Sequence, residues 1–106
     1  MNSKPKIEGD LDIFIASYQD KIDGKIEKWN EVLIHGNPEG LRSFAKVLNQ
    51  LADIKQEEDK DLPLNARVHV HLRPGFELAK SSDALVVGRL DAKGTSEYYQ
   101  RFIAKS

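Results

Sequence analysis

The 106-residue sequence has no cysteine, one methionine and one tryptophan. Without thiols it has no disulfide framework, no Cys-based zinc site and no thiolate nucleophile, a composition suited to the cytosol. Long apolar runs are also missing, and none approaches the ~20 residues of a membrane-spanning helix. Met1 to Asp10 mixes Lys4, Lys6, Glu8 and Asp10 with no apolar stretch behind a basic start, so no signal peptide is expected and the expected location is cytoplasmic. Nor is there an excess of charge. The 16 basic and 17 acidic side chains leave a net −1, which gives no bulk attraction to nucleic acid or to a membrane surface. Any partner has to be held by a local patch.

The length suits one domain that buries roughly 65% of its unfolded surface. Residues 1–10 are polar, with one proline and one glycine, and read as a flexible lead. Residues 11–106 read as a single α+β domain. The clearest stretch is Asn37 to Asp53, a helix. Asn37 can cap it, Pro38 suits the first helical position, and Glu39 sets a negative charge at the positive end of the dipole. Leu41, Phe44, Ala45, Leu48, Leu51 and Ala52 recur at three- and four-residue spacing, which predicts the core face. Gly40 in the first turn costs about 1 kcal/mol against alanine, so packing has to supply what propensity lacks.

Before the helix, Leu11, Ile13 and Ile15 alternate with their neighbours as a strand, and Asp23-Gly24 signals a tight hairpin into a second strand around Ile26 to Ile34. After a charged connection, Arg67 to Leu72 alternates Val68, Val70 and Leu72 with Arg67, His69 and His71, one face for the core and one for water. A fourth strand is predicted over Ala84 to Leu90. Together these give one mixed sheet of about four strands with one main helix on one face, in the order β-β-α-β-β. If the strands flanking the helix share that sheet, they run parallel. Asp91 to Gly94 is turn chemistry. The tail beyond it fits a short helix or a strand, with a helix begun near Thr95 or Ser96 favoured.

Candidate chemistry has to be weighed against simpler roles. His69 and His71 project the same way about 6 to 7 Å apart and could share a metal with His35 as a third ligand, but Arg67 and Arg73 on the same side would repel a cation. His35 to Gly40 sits where phosphate-binding loops sit, yet Pro38 lacks an amide donor and Glu39 stands where the anion would go. A Ser-His-Asp set from Ser81 or Ser82, His69 or His71, and Asp83 lacks the Gly-x-Ser-x-Gly elbow. The simpler roles are a polar sheet face, an ordinary helix cap and chance. No catalytic residue and no cofactor is expected. Glu57, Glu58, Asp59 and Asp61 form an acidic stretch that reads as a solvated loop or as a face for a basic partner. Trp29, Tyr98, Tyr99 and Phe102 read as core before they read as binding anchors.

Gly36-Asn37-Pro38-Glu39-Gly40-Leu41 running into the Leu-rich helix, then Val70-His71-Leu72, then Ser82-Asp83-Ala84-Leu85-Val86-Val87-Gly88-Arg89, carry a family likeness. Over roughly Val32 to Leu90 the chain resembles a small family of immunity proteins from bacterial polymorphic-toxin systems. The resemblance implies a non-enzymatic protein that binds a cognate toxin. It supplies no binding residues. From the residues themselves, the expected contact surface is the polar sheet face with Arg67, His69, His71 and Arg73, followed by Glu57, Glu58 and Asp59. A small metal- or ligand-binding domain and a self-pairing subunit joined through an exposed strand edge are the alternatives.

Overall fold

The computed structural model describes residues 5–106. Its helix, α1 (Pro38–Asp53), begins as the sequence predicts, with the Asn37 side-chain oxygen accepting from the Gly40 amide at 2.8 Å. That same oxygen accepts from the Asp10 amide, and the Asn37 amide donates to the Asp10 carbonyl, so the incoming chain crosses the helix start at close range. A Cβ on Gly40 would lie 2.1 Å from the Asp10 carbonyl oxygen. Glycine's helix penalty is therefore offset by a contact that no other residue permits.

Of the expected flexible lead, residues 1–4 lie outside the described part. The rest is tied down. The Glu8 amide and carbonyl both bond the Ser43 hydroxyl, and Ile7 packs against the core.

Strands β1 (Leu11–Ile22) and β2 (Lys25–Gly36) form an antiparallel hairpin closed by Asp23 and Gly24, whose φ values of 52° and 79° are the left-handed pair a two-residue turn of this kind requires. Strands β3 (His69–Leu72) and β4 (Leu85–Gly88) form a second antiparallel ladder. The α+β class, the four strands and the single main helix are as expected. The strands are split between two ladders, however, where one mixed sheet was expected, and the strands flanking the helix do not pair. The reason lies along the outer edge of β1. There the Ala79 and Asp83 amides donate to the Leu11 and Ile13 carbonyls, and the Ser82 hydroxyl accepts from the Ile13 amide. An irregular segment fills the place that a further strand would take.

The core lies between α1, β3 and the base of β1. One cluster joins Leu11, Ile13, Phe44, Leu72 and Leu78, the other Val47, Leu51, Val68 and Val70, with Ile7 and Val87 packed against both. Val68, Val70 and Leu72 face inward as their alternation predicts. The helix differs in part. Phe44 and Leu51 are buried together with Gly40 and Val47, whereas Leu41, Ala45, Leu48 and Ala52 are exposed. The surface beneath the helix is narrow, so only the 40-44-47-51 stripe finds cover and the neighbouring stripe does not.

The tail departs further. Beyond Gly94 there is neither helix nor strand. Ser96 takes φ 60°, and the Glu97 carbonyl accepts from the Ala92 amide and from Arg67, so it is not free to accept from a following turn. Trp29, Tyr98, Tyr99 and Phe102, expected in the core, are all at least 40% exposed. The core ends near the base of β1, and both the tail and the outer hairpin lie beyond it.

Candidate partner-binding surface

The outward side of β3 and β4 holds the sequence-predicted basic stripe. Pairing sets His71 opposite Val86 and His69 opposite Gly88. The two imidazoles meet edge to face at 5.1 Å, and His69 Nδ1 lies 3.0 Å from the Arg67 carbonyl. A carbonyl only accepts, so in this contact Nδ1 is the donor. His69, His71, Val86, Leu90 and Tyr99 surround an open hollow of about 360 Å³.

Arg67 sits among them with two of its three guanidinium nitrogens already bonded within the chain. Its Nε donates to the Leu90 carbonyl, its Nη2 to the Glu97 carbonyl, and its guanidinium lies 3.9 Å from the centre of the Tyr99 ring. It fastens the tail against the sheet and thereby brings Tyr99 to the hollow. Arg73 lies at the end of the strand, with its guanidinium in two bonds to Glu77 and above the Phe76 ring. The Arg73 contact holds the Glu77 carboxyl below its ordinary value. A stripe that looked like free positive charge is in fact two exposed imidazoles flanked by two guanidinium groups that are already engaged.

The acidic stretch is a separate feature. Gln56–Glu58 is one turn of 3-10 helix, and the Glu57 carboxylate accepts from the Gly94 amide. The Asp59 side chain accepts from the Asp61 amide while its carbonyl accepts from Lys93. Buried Gln56 donates to the Asp91 carbonyl and accepts from the Val68 amide. The Glu58 and Asp61 carboxylates have no hydrogen-bond partner among the described residues, although both backbone amides donate.

His35 is not brought to the other histidines. It packs edge to face against Phe14 on the hairpin, and among the described residues no three His, Asp or Glu side chains cluster as a metal site would need. The serines also point elsewhere. The Ser81 hydroxyl donates to Asp12, and the Ser82 hydroxyl is spent on Ile13 and Asp83. The helix start is occupied by Asn37 and the Asp10 backbone.

Two features had no usable sequence signal. Val86 reads as one of three apolar residues in a row, and only strand pairing turns it outward beside His71. Arg89 reads as a strand-end cation, yet its Nη1 donates to the Leu51 and Ile54 carbonyls at 3.1 and 2.8 Å. It caps a helix that has no basic residue in its own last turn. Its other edge grips Asp91, whose carboxyl is thereby held below its ordinary value.

The sequence pattern of the Immunity protein 32 family matches residues 31–90. The chain belongs to that family. The match runs from the inner part of β2 through α1 and β3 to just past β4, and so takes in the outward histidine face; most of the hairpin lies before it. No curated protein and no solved structure matches the chain.

Proposed function

We propose that this immunity protein is a non-enzymatic inhibitor that neutralises a protein toxin by direct binding, with the outward face of β3 and β4 as the contact surface. Membership of the Immunity protein 32 family carries the reading. The form of the face supports its location. Arg67 and Arg73 hold its edges through bonds already made, so little ordering remains to be done when a partner arrives. His69, His71 and Tyr99 then present polar tips around a hollow that Val86 and Leu90 line with apolar surface, the mixture from which central binding contacts are built. The acidic stretch at Glu57, Glu58 and Asp59 is the second contact. No catalytic group is needed, because occlusion works at one chain per toxin.

The test is coexpression with the cognate toxin, followed by measurement of the stoichiometry and affinity of the complex. A one-to-one complex that protects the host, weakened at least tenfold by His71→Glu while the fold is kept, is the expected result. Protection at a small fraction of the toxin's concentration would mean turnover and would overturn the inhibitor reading. Undiminished affinity in both His71→Glu and a Glu57→Lys, Glu58→Lys chain would remove both surfaces.

A further inference from the structure

Among the described residues, the hairpin beyond Ile13 has neither a third strand nor a covering layer. Isolated two-stranded ribbons are marginal in water, yet this one runs for 12 residues a strand and exposes Ile26 at 64% and Val32 at 62%. Its outer edge can be assigned from the bonds at its base. The carbonyls of Leu11 and Ile13 point away from β2 toward Ala79 and Asp83. Antiparallel ladders alternate inward and outward groups, so the register partners of the odd β1 residues also point away. Ile26, Lys28, Asn30, Val32 and Ile34 therefore present amides and carbonyls to solvent along the free edge of β2.

We propose that this edge pairs with the same edge of a second copy, antiparallel about a two-fold axis at Asn30. A two-fold through a strand edge sets residues equally far from the axis opposite one another, so the sequence of β2 tests each centre. An axis at Lys28 sets that lysine against itself, one at Trp29 sets Glu27 against Glu31, and one at Glu31 sets that glutamate against itself. Like charges directly opposite destabilise a ladder. The Asn30 axis sets no two lysines and no two carboxylates opposite one another, and it pairs Lys25 through His35, roughly 36 Å of edge at about 3.3 Å a residue. It also sets Ile26, near the tip of one hairpin, against Ile34, near the base of the other, and does so twice. Centres further along β2 shorten the overlap. The product is a four-stranded sheet in which each bare hairpin gains its third strand. The β3–β4 face takes no part, so this inference stands apart from the toxin-binding reading.

The chain mass is 12.0 kDa, and light scattering of the full chain over a concentration series is the measurement. The wild type is expected to reach twice that mass. Val32→Lys sets a lysine against Lys28 of the other copy at two places and is expected to leave a folded monomer by far-ultraviolet circular dichroism. Adding Lys28→Glu converts both contacts to opposite charges and restores the dimer, a rescue that only the Asn30 register predicts. A wild type that stays at 12.0 kDa up to about 0.5 mM, or a Val32→Lys chain that still dimerises, would overturn the proposal. A double variant that stays monomeric would overturn the register.

Discussion

The two ladders of this protein make opposite use of the same alternation. β3 has four residues, two of which, Val70 and Leu72, are fully committed to the core. β1 has 12 and commits only Leu11 and Ile13. Leu11, Ile13 and Ile15 are indistinguishable in pattern, yet Ile15 is 61% exposed because nothing lies over it. Strand length therefore does not measure burial. The difference also shows in the dimensions of the molecule: the radius of gyration is 16.9 Å, against about 13 Å for a compact domain of this length. A folded body carries a long ribbon whose outer part contributes surface and not core.

That contrast fails if apolar residues of the two ladders prove equally important to stability. Leu72→Ala empties a site with no exposure, between Leu11, Phe44 and Leu78, and should cost about 3–4 kcal/mol in urea unfolding. Ile26→Ala, measured at concentrations too low for association, should cost under about 0.5 kcal/mol. Comparable losses would mean that the ribbon is covered within the monomer.

Arg89→Ala ranks next. It strips the Leu51 and Ile54 carbonyls of their donor and leaves the Asp91 carboxylate only the longer contact from Gln56 at 3.4 Å. A loss of about 1–3 kcal/mol is expected by the same unfolding measurement, and a neutral result would mean that water replaces the guanidinium freely.

Acid gives a smaller effect at two ion pairs of the body. Hydrogen bonds from Arg73 and Arg89 depress the Glu77 and Asp91 carboxyls in the fold below their ordinary values of 4.5 and 3.8. Their contribution is thus complete above those ordinary values and is lost as pH falls through the depressed ones. Both pairs are solvent-accessible, so the acid slope should be shallow. Arg89→Ala should flatten the Asp91 part of it; an unchanged slope would assign the loss to other carboxylates.

The smallest effect is expected at the candidate contact face. His69→Ala and His71→Ala remove exposed rings and should shift stability by under about 0.5 kcal/mol, whatever they do to toxin binding. A loss above 1 kcal/mol would make the histidine pair a structural feature and weaken the case for this face.

What could be read along the chain was local. Asn37, Pro38 and Glu39 set where the helix begins, Asp23-Gly24 set the hairpin, and the alternation from Arg67 to Leu72 set which side of β3 faces the core, because each depends on backbone geometry within a few residues. The likeness to immunity proteins was also legible, over nearly the span that the family pattern matches. What depended on the rest of the molecule was decided only on folding. Leu48 and Val47 are neighbours on one amphipathic helix, and which of them is buried follows from how wide a surface lies beneath it. Arg67 reads as a free cation until Leu90, Glu97 and Tyr99 arrive from 23 to 32 residues away to engage it. The charges of the stripe and the apolar residues of the ribbon are written in the sequence, but whether each meets a partner or water depends on cover supplied by distant segments.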